Sequence, residues 1–436
     1  MRHVRLMPMA MLCLAAHAAL VTAADARPNI IFMLADDYGI DGVGCYGSSR
    51  HRTPNIDRLA ADGARFDACF AEPLCGPSRA LLMSGKYPFR TGVVSNQSGG
   101  KLDPKKDLCI AKLLSSAGYA TAVAGKWPQL GFLKTAEDGR VWGWDEFMIW
   151  DGNGTPDRYW SPRYNKNGTI TTGDEKQYGP DLLHEFCVDF ITRHREQPFF
   201  LYYPIVLVHS PIVRTPDTGA VRTRESVYAD NVAYLDKLVG QLKEQVERLG
   251  LSKNTVFVFA GDNGSVAQYQ CDVRGAKFAG GKGSLTDGGS RVPLIACWPG
   301  VISAGRVVGD FVSFADMYPT FAQLAGAKMP ADTTFDGQSM VWQMKGESGT
   351  PRKWVYVELS RARYVRDAAW KLNNDRQLFD MRKAPLEETL VEDDTRDPEA
   401  SAARQRLEAT LVGLVGTKLA TDGSAPPKPQ KPKKQE

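Results

Sequence analysis

Short, continuous apolar runs that stop on charged or polar residues recur along this chain. The first is Arg27-Pro28-Asn29-Ile30-Ile31-Phe32-Met33-Leu34-Ala35-Asp36-Asp37, apolar without alternation until two adjacent carboxylates end it. A strand covered on both faces reads this way, whereas a half-exposed strand alternates. Residues 119–124 form a second run, which delivers Lys126 at a strand's carboxyl end. Residues 198–208 form a third, which stops at His209, and residues 255–260 lead into Gly261-Asp262-Asn263-Gly264.

Helical signals separate these runs. Residues 53–66 contain a short helix with Pro54 near its start and Gly63 at its end, and residues 108–117 a helix closed by Gly118. Val232, Leu235, Leu238, Val239, Leu242, Val246 and Leu249 recur at helical spacing until Gly250 stops them. Strands alternating with helices predict an α/β fold: a doubly wound, mostly parallel sheet flanked by helices, with its functional residues at the carboxyl edge. A polar, glycine-containing stretch at 345–350 bounds this unit, so the main domain is expected over residues 25–345. β-prone pieces at 354–358, 370–372 and 378–380, then a helix over 398–415, predict a small C-terminal α+β subdomain with an antiparallel sheet, residues 346–418. There is no internal repeat.

Composition changes this picture mainly at the ends. Arg2, Arg5, an apolar run over 6–21 and small residues at Ala23, Ala24 and Ala26 read as a secretory signal peptide, residues 1–24. The expected location is therefore secreted or periplasmic, with no integral membrane span. The net charge of +4 is concentrated in that segment and in a Lys- and Pro-rich tail, residues 419–436, expected to be disordered. The body between them is close to neutral, which leaves no basic stripe for nucleic acid. Of the eight cysteines, Cys13 lies in the signal; Cys45, Cys69, Cys75, Cys109, Cys187, Cys271 and Cys297 remain, an odd number with no CxxC spacing for zinc. Export permits disulfides, but pairs cannot be assigned from sequence.

The strand ends carry the candidate chemistry. Asp36 and Asp37 repel one another, and a divalent cation is the simplest compensation; hard oxygen donors favour Ca²⁺ or Mg²⁺ over zinc. Asp262 and Asn263 would extend that oxygen shell. In Gly280-Gly281-Lys282-Gly283-Ser284-Leu285-Thr286-Asp287-Gly288-Gly289 the glycines admit close backbone approach to an anion, with Lys282 as its cation. Arg291 reads as structural or substrate-facing. His209 is the one strong candidate proton donor, because His184 and His194 lie in polar contexts and His51 is expected on the surface. Trp142, Trp144, Phe147, Trp150, Tyr159 and Trp160, around Asp151-Gly152-Asn153-Gly154, suit either sugar rings or packing of a loop onto the core.

Residues 75–79, Cys-Gly-Pro-Ser-Arg, resemble the Cys-x-Pro-Ser-Arg signature of the sulfatase family. The 53–66 segment, Gly125-Lys126-Trp127, His209-Ser210-Pro211, the Asp262-Asn263 turn and a segment at 310–324 containing Asp316-Met317-Tyr318-Pro319-Thr320, expected to be helical, follow in family order. The resemblance implies an alkaline phosphatase-like fold and hydrolysis of a sulfate monoester, most simply on a sulfated carbohydrate. It also implies that Cys75 is oxidised to a formylglycine nucleophile by a formylglycine-generating or anaerobic sulfatase-maturing enzyme. Asp36, Asp37, Asp262, Asn263 and the residue 75 oxygen would hold Ca²⁺, with Mg²⁺ as the other option. Arg79, Lys126 and Lys282 would bind charge, and His209 would protonate the leaving group. One position departs from the pattern: Gly-Lys-Trp-His in many sulfatases is here Gly125-Lys126-Trp127-Pro128, and the neighbouring Gln129 can hydrogen-bond but not shuttle a proton. Two other readings share these residues, a phosphomonoester or phosphonate monoester hydrolase and a non-hydrolytic sulfated-glycan-binding protein.

Overall fold

The computed structural model describes residues 27–96, 101–127, 130–150, 158–220, 223–278, 280–393 and 395–420. The expected signal peptide, the tail beyond 420, Pro128, Gln129 and residues 151–154 lie outside them. Among the described residues, no helix is long and apolar enough to cross a membrane.

Ten strands form the main sheet: β1 (Asn29–Ala35), β2 (Ala64–Phe70), β3 (Ala120–Gly125), β4 (Glu146–Trp150), β5 (Arg163–Lys166), β6 (Thr169–Thr172), β7 (Phe199–Tyr203), β8 (Thr255–Gly261), β9 (Arg291–Cys297) and β10 (Arg306–Ser313). Their order is β10-β2-β9-β8-β1-β7-β3-β4-β5-β6. β1, β7, β8, β3 and β4 run parallel, while β9 and the β5–β6 hairpin supply the antiparallel pairings. Successive side chains of β1 enter opposite cores: Ile30, Phe32 and Leu34 one, Ile31, Met33 and Ala35 the other. A strand pleats in this way, so burial on both faces requires the unbroken apolar run seen in the sequence. The helices α1 (Pro54–Ala61), Gly179–Arg193 and Arg224–Arg248 cover one face, through Ile56, Phe190 and Leu235 among others. The helices α2 (Cys75–Ser84), Ile110–Ser116 and Met317–Leu324 cover the other, through Leu82, Leu114 and Phe321.

A second, antiparallel sheet follows: β11 (Val355–Leu359), β12 (Ala362–Arg366), β13 (Trp370–Asn373), β14 (Leu378–Asp380) and β15 (Thr389–Val391). Val355, Val357 and Tyr364 pack onto Ala68 and Phe70 at the carboxyl end of β2. The last helix, Pro398–Ala420, buries Ala403, Leu407 and Leu411 and is interrupted at Gly416, whose φ is 77°. β12 is hard to read because Arg363 and Arg366 interrupt its apolar character; both are nevertheless buried, each paired with a carboxylate.

Several sequence expectations are corrected. The strand expected over 198–208 stops at Tyr203, because Pro204 has no N–H to continue the ladder; the buried segment after it instead pairs Val208 N with Asp36 O (2.9 Å) and Asp36 N with Leu207 O (2.8 Å). The 310–324 segment is not helical throughout: it begins inside β10, and the helix starts only after Ser313 and Asp316 cap a turn reciprocally. His51 is not at the surface but buried against the Tyr228 ring, where loss of water lowers its pKa to about 4. Of the two readings left open for the aromatic stretch, packing holds for Trp142, Trp144 and Phe147, which lie in the core with Trp144 and Trp142 edge-on to Trp127.

Candidate active site

The carboxyl edge of the main sheet gathers residues from six parts of the chain. β1 and β8 are hydrogen-bonded neighbours with Ala35 opposite Gly261, so Asp36 and Asp37 emerge beside Asp262 and Asn263. β3 ends at Gly125 and presents Lys126. The segment after β7 carries His209 alongside Asp36, and the loop before β9 carries Lys282. Cys75 is the first residue of α2, and Arg79 follows one turn later on the same face.

Three carboxylates meet three cations here. Lys126 Nζ donates to both oxygens of Asp36 (2.8 and 2.7 Å), and Lys282 Nζ to both oxygens of Asp37 (2.5 and 2.7 Å). Arg79, with no solvent exposure, donates Nε and Nη2 to Asp262 Oδ2 (3.0 and 2.7 Å) and Nη1 to Lys126 O (3.3 Å). The other Asp262 oxygen accepts from Asp37 N at 2.9 Å. Burial alone would raise all three carboxyl pKa values. For Asp36, Lys126, His209 and Arg79 outweigh that cost, and for Asp37, Lys282 and His209 do, so both are held below the ordinary range. Asp262 is pushed up to about 6, because burial and the charge of Asp36 exceed the pull of Arg79.

Cys75 Sγ donates to Asp37 Oδ1 at 3.7 Å, and burial raises its pKa to about 11, so the thiol is protonated at neutral pH and is a weak nucleophile as it stands. It and the other six cysteines of the described chain are free. His209 Nε2 stands 3.8 Å from Asp37 Oδ2, and burial lowers its pKa to about 4 against the opposing pull of Asp36.

Ligand atoms of Asp36, Asp37, Cys75 and His209 lie within 4.8 Å of one another. Asn263 donates Nδ2 to Asp37 Oδ1 (3.1 Å), but its own side-chain oxygen is buried and has no hydrogen-bond partner among the described residues. A desolvated carbonyl oxygen without a donor, beside clustered carboxylates, fits a hard divalent cation. Asp262 lies at the edge of this cluster, its oxygens engaged by Arg79 and Asp37 N.

The structure also brings in residues that sequence reasoning missed. Arg158 Nη2 stands 3.0 Å from His209 Nδ1 and bonds Ser210 O, while its guanidinium lies 4.7 Å above the Trp150 ring. Tyr159, read only as one of several aromatics, shares its one hydroxyl proton between His209 O and Val206 O. Asn96 accepts from Gly76 N at 2.9 Å, and Ser78 Oγ accepts from Glu72 N and donates to Glu72 O, which ties down the chain on both sides of Cys75. Only Tyr159 carried a signal, its place in an aromatic stretch. Arg291 is structural, bonding Asp67 O and Asp287.

Removing Arg79 would leave Asp262 buried without its counter-charge. Arg79→Met is expected to cost about 3–5 kcal/mol in stability, read as a fall in Tm by calorimetry. An unchanged Tm would show that the pair carries no net stabilisation.

The profile of the sulfatase family matches residues 28–327. The chain is 33% identical to N-acetylgalactosamine-6-sulfatase of Mus musculus over 372 residues, covering 77% of this chain and 70% of that protein. It is 30% identical to arylsulfatase D of Homo sapiens over 416 residues, covering 74% and 70% respectively. The crystal structure of Ps i-CgsB, also solved in complex with k-i-k-neocarrahexaose, superposes with a TM-score of 0.77 at 28% identity, covering 92% of this chain and 94% of that one. With the family match spanning the elements that build this pocket, the chain belongs to the sulfatase family, the sulfuric ester hydrolases.

Proposed function

We propose that the chain hydrolyses a sulfate monoester on a carbohydrate, using a formylglycine made from Cys75 and a Ca²⁺ ion, with Mg²⁺ as the weaker option. The observation that carries this reading is the position of Cys75: a thiol too weakly acidic to serve as a thiolate, in contact with Asp37 amid three carboxylates and three cations. Oxidation to an aldehyde gives this position a use, since the hydrate offers one hydroxyl to attack sulfur and a second to release the product. The cation, held by Asp36, Asp37, Asp262, Asn263 and the residue 75 oxygen, would supply positive charge at the reacting group. The carbohydrate assignment is supported by relatives whose names and bound ligand are saccharides.

The chain's own residues then divide the work. Lys126 and Lys282 hold the sulfate oxygens by exchanging part of their contact with Asp36 and Asp37 for contact with substrate. Arg79, its guanidinium committed to Asp262 and Lys126 O, acts by its field and by fixing those two partners. His209, whose Nδ1–H can donate to Ser210 O 2.7 Å away, turns Nε2 toward the pocket and, as the imidazolium, gives its Nε2 proton to the departing alcohol, leaving the neutral ring. An anionic substrate beside the imidazole raises its proton affinity.

Mass spectrometry of the tryptic peptide running from Phe66 to Arg79, from protein made in its native host, is expected to show the aldehyde in place of the thiol. An unmodified thiol there would refute the formylglycine nucleophile.

Chelation by EGTA is expected to abolish turnover and lower Tm, with Ca²⁺ restoring both. A ligand at a hundred times its Kd stabilises by about 2.7 kcal/mol. No effect of EGTA and Ca²⁺ add-back on either quantity would remove Ca²⁺ from the reading, and no effect of EDTA, which also binds Mg²⁺, would remove the cation altogether.

His209→Ala should slow alkyl sugar sulfates by about 10²- to 10⁴-fold, while 4-nitrophenyl sulfate, whose leaving group needs no proton, loses far less. An equal loss on both would remove His209 as proton donor. Turnover of 4-nitrophenyl phosphate faster than of the sulfate would favour the phosphomonoesterase reading instead.

A further inference from the structure

The loop that carries Lys282 is rich in glycine, and its own hydrogen bonds close short turns, Gly281 to Ser284 and Thr286 to Gly289, without fixing where those turns sit against the pocket. Gly280, Gly281 and Gly283 precede Gly288 and Gly289, and Gly280 (φ 76°) and Gly283 (φ 78°) occupy the left-handed region. Its position is therefore set by what grips it. The first half is tied to the main domain, with Lys282 N donating to Ser265 O and Gly283 N to Pro73 O, both at 2.9 Å.

The second half is gripped from the C-terminal sheet as well as from the main domain, where Gly264 N donates to Gly289 O at 2.9 Å. Lys371 on β13 donates Nζ to Leu285 O (3.0 Å) and pairs with Glu388, which lies between β14 and β15. Glu388 accepts in turn from Asp287 N at 2.7 Å. The Lys371 and Glu388 side chains are only 4% and 7% exposed, so this pair acts with little screening. The Asp287 carboxylate is separately held by Arg366 of β12 (2.5 and 2.6 Å) and by Arg291 (3.3 Å).

These two sets of contacts differ in what they fix. Arg366 and Arg291 bind the side chain of Asp287, and Arg366, reaching it from β12, docks the C-terminal sheet. Lys371 and Glu388 bind the backbone of Leu285 and Asp287, which is the loop itself. We infer that Lys371 and Glu388 are positioning residues for Lys282, through which the C-terminal sheet sets where the Lys282 ammonium stands against the anionic group of the substrate. This rests on the reading of Lys282 as a sulfate-binding cation. A small displacement of the backbone at 285 is carried over three residues to Lys282, and displacements of about 1 Å at a binding group can cost up to about a hundredfold.

The test is a double-mutant cycle on the mature enzyme with 4-nitrophenyl sulfate as substrate and inorganic sulfate as competitive inhibitor. Glu388→Gln, which keeps the side chain's shape, and Lys371→Met are each made alone and together with Lys282→Ala. Each single variant is expected to raise KM and the inhibition constant of sulfate by about tenfold with a smaller change in kcat, since Lys282 binds ground and transition states alike. In the Lys282→Ala background the same substitutions should add less than about twofold. Unchanged KM and inhibition constants in Glu388→Gln, or a full additional loss in the Lys282→Ala background, would overturn the inference. Should Lys371→Met fail to fold, Glu388→Gln decides the cycle. If Lys282→Ala itself leaves KM and sulfate inhibition unchanged, the anion-binding role of Lys282 falls and the positioning role with it. If Lys282→Ala weakens both and Glu388→Gln weakens neither, only the positioning role falls.

Discussion

Mutual compensation of buried charge is the constraint from which this structure follows. Asp36, Asp37 and Asp262 are at most 2% exposed, and a carboxylate stripped of water costs several kcal/mol unless opposite charge and hydrogen bonds replace the solvent. Arg79, Lys126 and Lys282 provide that replacement, each from a different element. No single segment of the chain could satisfy the arrangement. The pocket forms only when β1, β3, β8, α2 and the loop before β9 have reached their final register, which ties assembly of the site to completion of the main sheet.

The scaffold meets this demand by burying strands on both faces. Because β1, β7 and β8 pair in parallel, their carboxyl ends emerge together, and polar residues that would be intolerable within the sheet arrive at its edge. Cys75 sits at the start of a helix packed on one face, so its backbone is fixed by helix geometry while its side chain meets Asp37. The C-terminal sheet then packs against the glycine-rich loop that carries Lys282. Its ion pairs and hydrogen bonds reach Asp287 and the backbone beside it.

Legibility in the sequence followed burial and covalent order. The run ending in Asp36 and Asp37 was readable because a doubly buried strand must be apolar throughout, and the same held for β3 and β8. β12 was not readable, since Arg363 and Arg366 look solvent-facing until Glu358 and Asp287 are placed beside them. His51 looked exposed among Ser49, Arg50 and Arg52, and only the approach of Tyr228 from a distant helix buries it. Trp142 and Trp144 read equally well as sugar stackers or core residues, because composition does not say which face of a loop turns inward.

The amino-acid sequence by itself determined the α/β class, the strands that end on functional residues and the set of residue types at the site, because apolar periodicity and short spacings are local properties. The tertiary structure decided their relations. It paired Lys126 with Asp36, Lys282 with Asp37 and Arg79 with Asp262, brought Arg158 and Tyr159 to His209, and left the Asn263 side-chain oxygen without a donor among the described residues. Those partners lie tens to hundreds of residues apart, and which charge neutralises which is settled by strand register and helix packing, which no local pattern encodes.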